Sequence, residues 1–201
     1  MAVLRAVERR PATLAELVDA TGLTRATAHR LAASLEVHGL LRRVDGGRYA
    51  PGLGLLALAR AASAALPLAD LAAPALEDLR AETGESVQLY VRDGERRVCI
   101  ASLESPHGLR TIVETGETLP LDRGSAGRVL TAATGQDGWV ASVEEREAGV
   151  ASVSAAVVDP AGQIAAAVGI SGPIERLTRD PGALHGAAVL AAAGAISEAL
   201  R

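Results

Sequence analysis

Over the first fifty residues apolar side chains recur at helical spacing, and the breaks between runs carry capping and turn residues. Residues 2–9 read as a short helix closed by Pro11. Leu14, Leu17 and Val18 then fall at i, i+3 and i+4, behind Thr13 as N-cap and Glu16 as its capping-box partner. Thr21-Gly22-Leu23 is the turn, with Gly22 free to take the left-handed conformation that ends a helix. Thr24 caps the next helix. Its buried side is expected to be Ala28, Leu31 and Leu35, leaving Arg25, Ala26, His29 and Arg30 towards solvent until His38-Gly39 ends it. Residues 40–44 and 48–50 read as strands around Asp45-Gly46-Gly47, a turn that tolerates positive φ. This order predicts a winged helix-turn-helix over residues 1–52, a module that lays its second helix in the DNA major groove.

On that geometry Arg25, Ala26, His29 and Arg30 are the candidates for base edges. Thr13, Thr24 and Thr27 are candidates for phosphates through hydroxyls and helix-start amides, and Arg42, Arg43 and Arg48 for backbone or minor groove from the wing. The competing reading is a three-helix core with no role on DNA. Residues 53–65 form an apolar Ala/Leu helix that needs a partner, so 53–66 is expected to be a connector and part of a dimer contact. Packing within its own chain is the alternative.

Residues 67–201 change rhythm. A helix over 67–82, with Leu71, Leu76 and Leu79 inward, stops at Thr83-Gly84. Strands over 86–92 and 96–103 are joined by Asp93-Gly94, and a third short strand is expected over 109–114. Asp122-Arg123-Gly124-Ser125-Ala126-Gly127 leads into a helix over 128–133; such a loop suits a small anion, and also reads as an ordinary tight helix entry. After a turn at 135–138, strands over 150–159 and 163–171 form a hairpin with alternating faces, Ser152, Ser154 and Ala156 opposite Val153, Ala155 and Val157. Gly169 and Ser171 add small positions that leave room for a ligand, or for close packing by the Ala-rich helix over 182–200.

Composition adjusts this picture. All 20 basic residues are Arg, and Lys, Asn and Phe are absent, as a high-GC genome produces, so Arg abundance alone says nothing about nucleic acid. Its distribution says more: residues 1–60 carry nine Arg against five acids and the remainder eleven against nineteen, a basic head on an acidic body. The single Cys99 excludes an internal disulfide and fits a reducing cytoplasm. No membrane span or signal peptide is expected. Ser125 and Ser171 lack the G-x-S-x-G spacing of a nucleophile, and His29, His38, His107 and His185 lack ligand spacing. The Glu144-Glu145-Arg146-Glu147 run reads as a solvated charge cluster. Neither an enzyme nor a metal or cofactor is predicted.

The blocks TGLTRATAHRLAASLEVHGLLRR, ETGESVQLYV, LPLDRGSAGRVL, EEREAGVASVSAAV and AAVGISGPIERLT, in this order, resemble the IclR family of bacterial transcription regulators, and the second half is most similar to a high-GC subgroup linked to amino-acid biosynthesis. The resemblance implies an α+β chain: a winged helix-turn-helix followed, over 67–201, by a GAF-like effector and oligomerisation domain with a six-stranded antiparallel sheet. It implies a cytoplasmic homodimer or dimer of dimers, expected to be a repressor, whose affinity for operator DNA responds to a small organic-acid or amino-acid-related effector. Carried over position by position, the effector pocket falls on Leu109, Leu119, Ser125, Ala126, Val150, Ser152, Gly169 and Ser171. The chain departs from the family near residue 135, where several tens of residues are shortened to Ala133-Thr134-Gly135-Gln136-Asp137. The alternative is therefore an effector-insensitive DNA-binding paralogue.

Overall fold

The caps act where the pattern places them. Thr13 Oγ1 accepts the Glu16 N–H while the Glu16 carboxylate accepts the Thr13 N–H, and Gly22 ends the helix at φ +67°. The computed structural model describes residues 1–201 except 65, 133, 134 and 136. The chain divides into two units, Met1–Leu66 and Pro67–Arg201.

The first unit runs α1 (Ala2–Ala6), α2 (Leu14–Thr21), α3 (Arg25–Val37), β1 (Leu41–Val44), β2 (Arg48–Pro51) and α4 (Gly54–Ala64). The antiparallel pair β1–β2 is the wing, and Ala12 bridges to Tyr49 at its root. Val3, Val7, Ala12, Leu17, Ala32, Leu41 and Tyr49 make the core. The face of α3 differs from the expectation. Leu31 is 41% exposed, and the buried stripe is Ala28, Ala32 and, in part, Leu35. Small side chains let the neighbouring backbone approach closely, so the helix turns its alanines inward and leaves Leu31 on the flank. Helix α1 ends at Ala6, short of the expected residue 9. No residue of α4 is buried, and Leu53, Leu56 and Leu58 are exposed on and beside it. The end of this helix at residue 65 lies outside the described residues.

The second unit runs α5 (Leu68–Thr83), β3 (Ser86–Asp93), β4 (Arg96–Leu103), β5 (Thr118–Pro120), α6 (Ser125–Leu130), β6 (Trp139–Val143), β7 (Val150–Val158), β8 (Ile164–Pro173), α7 (Ile174–Leu177) and α8 (Pro181–Ala199). Its six strands form one antiparallel sheet in the order β5-β4-β3-β8-β7-β6. One face, including Val87, Leu89, Val153, Val168 and Ile170, packs on Leu76 and Leu79 of α5 and on Val189, Ala193 and Ile196 of α8. The Ala-rich helix therefore covers the Val/Ala side of β7, not the Ser/Gly side. The opposite face carries Tyr90, Cys99 and Ala167, which cluster with Ala126 and Val129 of α6.

Four further expectations change. Residues 109–114 form an extended loop, not a strand: Ser86 Oγ donates to the Thr111 carbonyl at 2.7 Å and Val113 is buried, while Leu109 and Ile112 stand exposed. Leu71 is 42% exposed, and Ala72 takes the inward place. Helix α6 begins at Ser125 and ends at Leu130, three residues early at both ends, and residues 133, 134 and 136 of the junction lie outside the described residues. Helix α8 is also long and apolar enough to cross a membrane, with mean hydropathy 1.2, against the expectation of no such run. Its Val189, Ala192, Ala193 and Ile196 are core residues here.

Two contacts tie this unit together. Glu85, just before β3 and almost wholly buried, makes a two-point ion pair with Arg176 at 2.6 and 2.8 Å. Arg176 also donates to the Leu109 carbonyl, which anchors the exposed loop. The Trp139 indole lies on α8 where Gly182 and Gly186 leave no side chain; a Cβ at either would collide with the ring.

Candidate nucleic-acid interface and ligand cavity

Thr24 opens α3 in extended conformation, and its Oγ1 accepts the Thr27 N–H and donates to Thr27 Oγ1. The first turn of the helix is thereby held with Arg25, Ala26, His29 and Arg30 exposed. Arg25 and Arg30 make no ion pair among the described residues. A wide concavity of about 670 Å³ runs from this turn to the wing, lined by Leu14, Arg25, Ala26, His29, Arg43, Gly47 and Tyr49.

The wing arginines are more constrained. Arg43 lies 4.7 Å over the Tyr49 ring, donates to Tyr49 Oη at 2.8 Å and pairs with Glu36 at 3.3 Å. Arg42 donates to the Pro51 carbonyl, and Arg48 lies 3.5 Å from Glu16. Thr13 is committed to its capping box through both N–H and hydroxyl. The Thr13 backbone donor, then Arg10 and the Thr13 hydroxyl, hold the Glu16 carboxyl well below its usual range, at about 2. The ten candidates thus separate into unpaired side chains at the start of α3 and side chains already holding the domain together.

In the second unit the strand register builds a polar floor. Ser86, Ser171 and Ser152 lie in one row across β3, β8 and β7, and Gln88, Gly169 and Ser154 in the next. Ser125 Oγ lies 2.8 Å from both Ser152 Oγ and Ser154 Oγ. Gly169 is required, because a Cβ there would collide with Ser154 Oγ. Above this floor is a cavity of about 40 Å³, lined by Ser125, Ala126, Val150, Ser152, Gly169 and Ser171 from the expected set. Leu109 and Leu119 are not brought to it: Leu109 is 69% exposed on its loop, and Leu119 packs with the Tyr90 cluster.

Ser154, expected on the same small polar face, also lines the cavity, and sequence reasoning missed Gln88, Tyr90, Arg97, Ser142 and the Glu145–Glu147 stretch, which line it too. One signal was available: Gln88 is the sole amide in the apolar strand VQLYV. Arg97 reaches the cavity from β4 with its guanidinium 5.2 Å over the Tyr90 ring. Glu145, expected in a solvated charge run, accepts the Gly124 N–H at 2.9 Å and pairs with Arg128 at 3.2 Å. Glu144 sits at positive φ, accepts the Gly149 N–H and pairs with Arg179, and the Gly149 bond in particular lowers its pKa. Cys99 is wholly buried, which pushes its thiol up to about 12 and makes it unreactive.

Comparison with known proteins agrees with both halves. Residues 1–45 match the family model for the IclR helix-turn-helix domain, and residues 60–137 and 132–198 match that for the bacterial transcriptional regulator IclR C-terminal domain. The chain is 28% identical to the HTH-type transcriptional regulator KipR of Bacillus subtilis, over 90% of this chain and 86% of that protein. It is 25% identical to the transcriptional repressor IclR of Escherichia coli, over 90% and 80%. Its fold is similar to that of an IclR homolog from Microbacterium hydrocarbonoxydans solved in complex with 4-hydroxybenzoate (TM-score 0.83, 22% identity, 100% and 96% of the two chains).

Proposed function

The chain belongs to the IclR family of bacterial DNA-binding transcription regulators, and on that premise we propose that it is a repressor whose hold on operator DNA responds to a small carboxylate bound on the Ser/Gly face of the second unit. The observation that carries the DNA reading is the start of α3, where Arg25, His29 and Arg30 stand exposed beside a helix-start cap. Arg can pair with guanine there and a short side chain such as Ala26 lets the backbone approach. The relatives are transcription regulators, which supports a non-catalytic role in the cytoplasm. The exposed apolar α4 supports a homodimer through that helix, or a dimer of dimers.

The test is a mobility-shift titration on the DNA upstream of its own gene. Binding is expected at low salt and to weaken steeply as salt rises, because several Arg–phosphate contacts release counterions. No shift at low salt, with or without metabolite extract, removes the reading.

A second reading has its own support. Between α6 and β6 no helix occurs among the described residues, and the cavity holds only about 40 Å³, far below the several hundred of ordinary ligand pockets. This favours a paralogue, shortened near residue 135, that binds DNA without sensing. Thermal-shift screening against branched-chain keto acids, amino acids and smaller acids separates the two; reproducible stabilisation excludes the insensitive form.

A further inference from the structure

We infer that Glu36 is an internal competitor for the wing: its carboxylate holds the Arg43 guanidinium that a DNA phosphate would otherwise take, and so sets the affinity and the salt dependence with which the first unit binds DNA. This rests on the DNA reading and deepens it, by naming a residue that weakens binding instead of one that makes it.

Arg43 and Tyr49 are register partners on β1 and β2, and Arg43 lines the same concavity as Arg25 and His29. Its guanidinium is positioned before any DNA arrives. The Tyr49 ring is 1% exposed and lies against it, and Nη2 donates to Tyr49 Oη at 2.8 Å. Nε donates to Glu36 Oε2 at 3.3 Å, and the guanidinium makes no further hydrogen bond among the described residues. Nη1 is therefore free on the side of the concavity that would receive a phosphate.

Glu36 does nothing evident for its own helix. It stands in the last turn of α3, where a negative charge opposes the helix dipole, and Arg43 is its carboxylate's hydrogen-bond partner among the described residues. The other acid beside a wing arginine differs. Glu16 lies 3.5 Å from Arg48, but it sits in the first turn of α2, closes the capping box on Thr13 and pairs with Arg10 at 2.9 Å. Glu16 belongs to the fold, whereas Glu36 is committed to the wing.

The Arg43–Glu36 pair is partly exposed, with the two side chains 47% and 35% accessible. Such a pair biases the arginine by no more than about fivefold, so a phosphate can displace the carboxylate. The exchange alters the ion balance. A free arginine meeting DNA releases about one condensed cation per phosphate. An arginine that leaves Glu36 for a phosphate strands a carboxylate beside the polyanion, where it retains a cation and repels the backbone. The wing contact then adds little net affinity and little salt dependence until the Glu36 charge is removed.

The experiment is fluorescence anisotropy of the full chain on a labelled duplex from upstream of its own gene, over a salt series, with the parent, Glu36→Gln, Arg43→Gln and the double variant. Glu36→Gln is expected to tighten binding about threefold to tenfold at about 0.05 M salt and to steepen the log affinity against log salt slope by roughly 0.9, so that the curves converge as salt rises. In the Arg43→Gln background the gain is expected to fall below about twofold, because the guanidinium that Glu36 competes for is gone. Glu36→Ala should repeat the gain, which separates loss of charge from any new bond made by glutamine. The inference is overturned if Glu36→Gln binds no more tightly than the parent, if the slope is unchanged, or if the gain survives intact in Arg43→Gln. A markedly lower melting temperature for Glu36→Gln and Glu36→Ala also overturns it, since the carboxylate would then serve the fold. Parent binding without the gain removes this inference alone; no binding by the parent or any variant at low salt removes the DNA reading with it.

Discussion

On α3 of the first unit Arg25 and Arg30 stand exposed, whereas on β4 of the second Arg97 is almost wholly buried, and none of the three has an acidic side chain within ion-pair distance among the described residues. Both are uncompensated cations, and their surroundings suit them to different anions. An exposed guanidinium costs the fold little, is screened within about 10 Å at 0.1 M salt, and gains most from a dense line of phosphates. A buried one is insulated from salt, costs the fold until neutralised, and has room for one small ligand. The same residue type thus stands in two settings, one suited to a polyanion and one suited to a single small anion, and the distinction lies in burial and partners, not in charge.

The sharpest way to break this contrast is through an arginine that already has its partner. Arg176→Ala leaves the Glu85 carboxylate buried and unpaired, and is expected to cost the second unit about 3–5 kcal/mol, read by denaturant melts. Next, Arg25→Ala and Arg30→Ala are expected to cost about 1–3 kcal/mol each in specific operator affinity. Their melting curves should stay within about 0.5 kcal/mol of the parent, since both side chains are exposed. A large loss of stability, or unchanged affinity in fluorescence anisotropy, removes them from the interface.

Packing gives a smaller effect of the same kind. Gly186→Ala ought to stabilise a helix by propensity, but its Cβ would collide with Trp139, so a net loss of roughly 1–3 kcal/mol is expected from overpacking. Thr13→Ala removes the cap of α2 and is expected to cost about 1 kcal/mol in the first unit. Glu16, its capping partner, has a folded pKa of about 2 against an ordinary 4.5. Because the folded value is depressed, its stabilisation is complete above pH 4.5 and is lost as pH falls towards 2. Circular-dichroism melts of Glu16→Ala and the parent should differ at pH 7 and converge near pH 2.

Much of the first unit was legible because its signals are local. Thr13 with Glu16, Thr24 with Thr27, and Gly22 each act within a few residues, and all three do in the structure what their spacing implies. Leu31 and Leu71 were misassigned because periodicity locates a stripe only to within a position, and the neighbouring helix decides whether leucine or alanine fits. The segment 109–114 has strand-like residues, but strand formation needs a partner edge, and β5 occupies the edge beside β4. The Ser/Gly face of β7 and β8 was readable from alternation, while Gln88, Tyr90 and Arg97 were not assigned to it.

By itself, then, the sequence determined the starts and stops of α2 and α3, the exposed basic face at the start of α3, the wing, and the small polar side of the β7–β8 hairpin. Those features depend on backbone preferences, caps and two simple periods. Only the tertiary structure decided that β3 and β4 bring Gln88 and Arg97 to that polar side, that Glu145 is taken by Gly124 and Arg128, and that Arg97 is buried with no ion pair among the described residues. Burial of a charge is a property of everything packed around it, and residues from five segments of the chain meet at that cavity.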